Sequence, residues 1–317
     1  MRARLKRSIR SAALAAFGHP EVLRNWLLYA AGARGRGLVL AYHGVGPCSR
    51  RCPVVKPIPP ERFAEQMRTL KAVGDIVPLD NLLWANERSS RPLFAVTFDD
   101  DDPGYVRYAL PVLRELGIPA TFFLSGRILH GLGPYWWTLV DQSIEEVGLE
   151  ATAAMLGHHA RSVDELAASC RSVAMVRELS TRAAVEVMHP DDIRTLARAG
   201  MTIGFHTLRH RVLPLVDDAE LDVELTEGRA ELASLVGRPV DLLAYPYGAV
   251  DRRVARATER AGYVAAFTTE WRAVSCRSHR FLVSRWQPGP LKARDLLEQA
   301  ALRLHMQSAY VNSSVPR

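Results

Sequence analysis

The sequence predicts an α/β fold, a distorted parallel (β/α) barrel of about seven strands that carries a helical insertion. Three observations predict it. Short apolar runs alternate with segments of helical spacing closed by glycine, which implies parallel strands with helices outside. A chain of 317 residues with 48% hydrophobic content can bury a large core, and one barrel accounts for most of that length. Three of the apolar runs stop in turns loaded with aspartate, histidine or tyrosine-proline, and in such barrels the chemistry gathers at the carboxyl ends of the strands.

Leu38 to Tyr42 reads as a buried strand ending at His43 and Gly44, and the Pro- and Arg-rich text up to Pro60 is a loop. From Glu61 the positions Phe63, Met67, Leu70 and Val73 step at helical spacing and stop at Gly74. Phe94 to Phe98 is the next strand and delivers Asp99 and Asp100. Tyr105 to Leu116 is helical, closed by Gly117, and Ala120 to Leu124 is a strand. Residues 131–188 interrupt the alternation with Trp136, Trp137 and long helical text (Ser143–Leu156, Val163–Leu179), an insertion over or beside the mouth. Pro190 starts a helix that Gly200 closes, and Met201 to Phe205 is the strand presenting His206. Asp218 to Val236 reads as one long helix ended by Gly237. Val240 to Ala244 is a strand, Val250 to Ala261 a helix, and Tyr263–Thr268 with Phe281–Trp286 supply the last strands. The expected organisation is a basic, helical leader over 1–36, a catalytic domain over 37–290, and a helix and tail over 291–317.

The formal charge of +7 is concentrated. Residues 1–36 hold eight basic side chains against Glu21 alone, so the remainder is balanced and a basic surface for nucleic acid is not supported. The leader alternates those charges with Leu5, Ile9, Leu14, Phe17 and Trp26. It suits a helix packed on the barrel, or an amphipathic helix in peripheral contact with an anionic membrane. Its apolar stretch, Ala12 to Phe17, is too short for a secretory signal, so the expected location is cytoplasmic, extending to the inner membrane surface. Cys48, Cys52, Cys170 and Cys276 complete neither a zinc pattern nor a disulfide framework and read as free thiols.

The chemistry lies in three stretches: Thr97-Phe98-Asp99-Asp100-Asp101-Asp102, His206-Thr207-Leu208-Arg209-His210, and Leu242-Leu243-Ala244-Tyr245-Pro246-Tyr247-Gly248. Adjacent aspartates after a strand are common turn residues. Two histidines four apart fall on one side of a helical turn, and with a carboxylate they form a two-histidine, one-carboxylate metal site with a spare carboxylate beside it. That set serves hydrolysis by metal-activated water.

In this order the stretches resemble the polysaccharide deacetylases of carbohydrate esterase family 4, those with the NodB homology domain. The matching text is TFDD at 97–100, HTLRH at 206–210 and LAYPYG at 243–248, with GIPATFF at 117–123 and YHGV at 42–45. The resemblance spans roughly residues 36–290, and its third turn matches the F-A-Y-P-Y-G subgroup.

The resemblance implies a NodB-like barrel and a metal-dependent deacetylase acting on the carbon–nitrogen amide of N-acetylated amino sugars, in a glycan or a lipid-linked precursor. It implies Asp100, His206 and His210 as ligands of one divalent metal ion, a donor set that suits Zn²⁺, and Asp99 as the general base. The turn Tyr245-Pro246-Tyr247 would form a substrate wall, with the Tyr247 backbone N–H donating to the oxyanion. The family's frequent arginine of the third motif is Ala244 here, so another group must orient Asp99. His43 is the candidate, and it is also a candidate for the unassigned general acid. Arg285 would contribute charge to the mouth or serve structure. Trp136 and Trp137 would stack on sugar rings or anchor the insertion. Asp101, where the family has glycine, and Asp102 would tighten a cation or face water, and the second is the expectation. His305 only imitates a late family motif, because it ends a helical run from Lys292.

Two other function classes compete. A glycosyltransferase would use Asp99–Asp102 to hold a metal against a nucleotide sugar, and it leaves His206 and His210 unexplained. A non-catalytic carbohydrate-binding relative would bind glycan with or without metal, and it has no need of Asp99.

Overall fold

A computed structural model describes residue 25 and residues 36–47, 54–84, 91–170 and 186–305. The leader, Cys48, Cys52, residues 171–185, the His305 side chain and the tail after it lie outside the described residues. Seven strands form one parallel sheet: β1 (Gly37–Tyr42), β2 (Asp75–Ile76), β3 (Leu93–Asp99), β4 (Ala120–Leu124), β5 (Thr202–Phe205), β6 (Leu242–Ala244) and β7 (Ala265–Phe267). The order is β1-β3-β4-β5-β6-β7, with β2 paired to the start of β3.

The strands alternate between two cores, as the period of two requires. On β1 and β3, Leu38, Leu40, Tyr42, Phe94, Val96 and Phe98 face the surrounding helices. Val39 and Ala95 face the barrel interior with Phe123, Leu242, Ala244, Phe267 and Val283. Asp99 keeps the phase of Ala95, and so the last residue of β3 turns a carboxylate inward at the carboxyl end. Gly204 on β5 makes room for this interior, because a Cβ there would meet the Phe123 ring at 2.5 Å.

The expected last strand, Phe281–Trp286, is not a regular one. It closes the sheet through isolated bridges, Val283 to Phe267 on one side and Trp286 to Leu40 on the other. The backbone bonds Trp286 N–H to Val39 O (2.7 Å) and Ala41 N–H to Trp286 O (2.8 Å) seat it against β1.

Two helices expected to be continuous are broken. Asp218–Thr226 and Arg229–Val236 are separate, with Gly228 between them at φ 80°. A Cβ on Gly228 would lie 2.9 Å from Gly126 Cα, so this glycine permits a close approach to the turn after β4. In the insertion, helical structure starts at Trp136 and breaks at Gly148, giving Trp136–Val147 and Leu149–Met155, followed by Val163–Cys170. These three share a core of Val140, Ile144, Ala153, Leu156, Leu166 and Cys170. Cys170 and Cys276 are free thiols. Among the described residues no helix is long and apolar enough to cross a membrane.

Candidate active site and metal centre

Four non-glycine residues among those described have positive φ: Asp100 (67°), Thr207 (65°), His210 (59°) and Tyr247 (59°). All four lie in the three motif turns, and strain of this kind clusters at functional sites. At Asp100 the left-handed backbone follows the last residue of β3, which lets two successive carboxylates serve one site although strand geometry would point them apart. The histidine pair does not sit on a helical turn as its spacing predicts. Thr207 and His210 fold residues 206–210 into an irregular loop, with His210 N–H donating to Thr207 Oγ1 at 3.1 Å. Fully buried Glu224 pins the same loop, its carboxylate accepting from Arg209 N–H at 2.8 Å and its carbonyl from Leu208 N–H at 3.1 Å. Nothing in the sequence text marked Glu224.

The loop brings both imidazoles to Asp100. His206 Nε2 lies 3.5 Å and His210 Nε2 3.4 Å from Asp100 Oδ1. One ligand atom from each of the three residues falls within 4.8 Å of the others, and all three residues are buried. The donor set fits a metal on two counts. Asp100 Oδ1 is buried with no hydrogen-bond partner among the described residues, an arrangement costly without a cation. His206 Nδ1 sits 2.8 Å from the Ala244 carbonyl, which assigns the proton to Nδ1 and leaves Nε2 as a lone-pair donor facing Asp100. Burial pushes His210 down to about 3, so it is neutral. At His206 burial also disfavours the charge, but Asp99 and Asp100 outweigh it and push the group up, the mark of a pocket whose negative charge calls for a positive partner.

Asp99 is 1% exposed and paired with Arg285, which is fully buried. The guanidinium donates to both carboxylate oxygens, Nη1 to Oδ1 at 2.5 Å and Nη2 to Oδ2 at 2.6 Å. Its remaining donors bond the Thr268 carbonyl (3.1 Å) and Thr97 Oγ1 (3.3 Å), while Phe123 and Phe267 flank it within the barrel. Burial pushes the Asp99 carboxyl up, yet Arg285, with His206 and His43 adding, reverses this and holds it well below the usual carboxylate range. Tyr105 Oη donates to the Asp99 carbonyl and fixes the backbone beneath it.

This arrangement corrects the expectation for His43. The group that orients Asp99 is Arg285, whose place on the closing segment between β7 and β1 aims it into the interior. His43 Nε2 stands 3.7 Å from Asp99 Oδ2, beside the carboxylate but beyond hydrogen-bond distance, with 29% of its side chain exposed.

The sequence profile of the polysaccharide deacetylases matches residues 86–266, more than half of the chain. The chain belongs to the polysaccharide deacetylase family. It is 19% identical over 237 residues to the "Putative polysaccharide deacetylase YxkH" of Bacillus subtilis (strain 168), covering 74% of this chain and 66% of that protein. Among solved structures, the Streptococcus pyogenes deacetylase PplD in complex with acetate superposes with a TM-score of 0.61 at 16% identity, over 84% of this chain and 98% of that one. IcaB from Ammonifex degensii gives 0.54 at 21% identity, over 86% and 97%. These two likenesses show the shared fold.

Around this candidate site the structure sorts the remaining expected residues. Tyr245 does not line the site: it is fully buried in the outer core and its hydroxyl bonds the Phe281 carbonyl at 3.2 Å. Pro246 is buried, and Tyr247, in the left-handed region, turns its ring edge-on to His210 at 4.7 Å. Trp136 donates from Nε1 to the Tyr247 hydroxyl at 3.0 Å. Trp137, 8% exposed, lies edge-on to His210 at 5.1 Å. The start of the insertion therefore forms one wall of the site. Asp101 does not face water. It is 9% exposed and accepts hydrogen bonds from Ser125 and Tyr135, although burial still raises its carboxyl above the usual range. Asp102 is also largely sheltered; burial raises it to about 6, against a bond from Gly104 N–H. In the insertion His159 is exposed and His158 half-buried, and neither belongs to the clustered Asp100, His206 and His210 set.

Proposed function

We propose that the protein is a metal-dependent hydrolase that removes acetyl from an N-acetylated amino sugar in a polysaccharide or its precursor. The observation that carries this reading is an ionised carboxylate, Asp99, locked by Arg285 directly beside the Asp100, His206 and His210 donor set. Asp100, His206 and His210 would hold one divalent ion, and Zn²⁺ suits their chemistry. When bound, such an ion polarises the acetyl carbonyl and makes water more acidic.

Asp99 takes the proton from the water that attacks the amide carbon. Arg285 favours the ionised carboxylate, so the orientation of the base matters more than a raised pKa. The Tyr247 backbone N–H donates to the oxygen that gains charge as the carbon becomes tetrahedral. Collapse breaks the carbon–nitrogen bond, and the leaving amine takes a proton from His43, the partly exposed imidazole beside Asp99. The products are acetate and a free amino sugar.

A non-catalytic glycan binder explains the barrel and the aromatic wall but not a buried Asp99–Arg285 pair, whose desolvation is costly unless used. The test is acetate release from N-acetylglucosamine oligomers upon metal addition, comparing wild type with Asp99→Asn. Release by the wild type and loss of at least a hundredfold in the variant are expected. Equal rates would reject Asp99 as the base, and no release by either would favour the binder.

A further inference from the structure

Aromatic rings at the start of the insertion pack on His210. Its ring is met edge-to-face by Tyr135 (5.4 Å, 82°), Trp137 (5.1 Å, 75°) and Tyr247 (4.7 Å, 69°). The two histidines differ in what fixes them. His206 has the Ala244 carbonyl on its far nitrogen, whereas His210 Nδ1 is buried with no hydrogen-bond partner among the described residues. A ligating imidazole is ordinarily fixed by a hydrogen bond from that far nitrogen. At His210 three aromatic rings take its place.

Those rings are themselves held. Tyr135 stacks on Trp137 with centroids 4.3 Å apart and planes 9° from parallel. Its hydroxyl donates to Asp101 Oδ2 at 2.7 Å. Asp101 also accepts from Ser125 N–H at 2.9 Å and Ser125 Oγ at 2.5 Å, and so joins the end of β3, the end of β4 and the first turn of the insertion. Arg127 braces the other side, its guanidinium 4.9 Å from the Tyr135 ring and bonded to the carbonyls of Leu132, Gly133 and Pro134, and to Arg209 in the histidine loop. Trp136, through the Tyr247 hydroxyl, links the third ring to the same turn.

We propose that Asp101 and Tyr135 are positioning residues for the metal centre, acting through the Tyr135–Trp137 stack to fix the His210 ring, so that the helical insertion completes the ion's binding site. The proposal rests on the reading of Asp100, His206 and His210 as metal ligands. It assigns Asp101, one residue from a ligand, no contact with the ion.

The test is Zn²⁺ affinity of the full-length protein by competition with a chromophoric chelator, together with the visible spectrum of the Co²⁺-loaded protein. The variants are Tyr135→Phe, which removes only the hydroxyl, Asp101→Asn, and Trp137→Leu, with His206→Ala as the ligand control. Zn²⁺ affinity is expected to fall about ten- to a hundredfold in Asp101→Asn and Trp137→Leu, as for loss of an outer partner of a metal-bound histidine. A several-fold fall is expected in Tyr135→Phe, and the Co²⁺ bands should change in all three. Global destabilisation alone moves neither readout in folded protein. Affinities within twofold of wild type and unchanged Co²⁺ bands, while His206→Ala loses the ion, would overturn this proposal and leave the metal reading standing. If the wild type takes up no ion, both fall.

Discussion

Replacing Arg285 by Met should uncouple the base from the fold. Met has enough volume to fill the space between Phe123 and Phe267, so the main change is that Asp99, 1% exposed, loses both guanidinium bonds. Breaking a buried ion pair by removing one partner costs about 3–5 kcal/mol. For a domain of this size that corresponds to a fall in Tm on the order of 10 °C. The pH dependence follows from the same pair. In the wild type the folded carboxyl lies below its unfolded value, so its contribution to stability is present above the unfolded pKa and is lost as pH falls through the folded one. Without Arg285, burial is opposed only by the weaker pull of His206 and His43, and the carboxyl is expected to rise above its ordinary value. Stability is then greatest in acid and declines as pH rises, and the acid limb of kcat/KM moves to higher pH. Thermal unfolding from pH 4 to 8, with acetate release over the same range, measures both effects. Adding Asp99→Asn to Arg285→Met should restore most of the lost stability, because the unpaired charge is gone. A single variant with unchanged Tm and an unchanged pH–rate profile would refute the assignment of Arg285 as the group that holds Asp99.

Two further outcomes test particular residues. Asp141, on the first helix of the insertion, accepts from Val54 N–H at 2.7 Å, and burial raises it to about 7. A raised carboxyl contributes stability that is present below its unfolded pKa and lost as pH rises through about 7, so Asp141→Asn should stabilise the protein at pH 8 by roughly 1–2 kcal/mol and change little at pH 4. Differential unfolding at the two pH values checks it, and equal effects at both would contradict the burial argument. Tyr245→Phe removes a buried hydroxyl that bonds the Phe281 carbonyl, and should cost about 1 kcal/mol of stability with KM unchanged. A rise in KM without loss of stability would return Tyr245 to the substrate wall.

Much of the fold was legible because its signals are local. Six apolar runs became β1, β3, β4, β5, β6 and β7, and the loaded turns after β3, β5 and β6 are where the candidate site lies. What failed to read depends on partners far apart in the chain. Arg285 and Asp99 are 186 residues apart, and Arg285 sits on a segment closed by isolated bridges with no strand periodicity to mark its inward face. Asp101 looked like a solvated charge because its donors, Ser125 and Tyr135, lie 24 and 34 residues on. The four-residue spacing of His206 and His210 suggested a helical turn, but left-handed Thr207 and His210 achieve the same convergence by another path. Gly228 and Gly148 were visible in the sequence as helix breakers. Each takes a positive φ at a break between helices, a freedom that the helical spacing on either side does not reveal.

The central claim is that Asp100, His206 and His210 converge on one ion beside Asp99. Anomalous diffraction at the zinc edge from Zn²⁺-soaked crystals tests it most directly. The account predicts a single strong peak at bonding distance from Asp100 Oδ1, His206 Nε2 and His210 Nε2, lost in His206→Ala and retained in Asp99→Asn. A peak coordinated by other residues, or none at these three in crystals that bind zinc elsewhere, would contradict it.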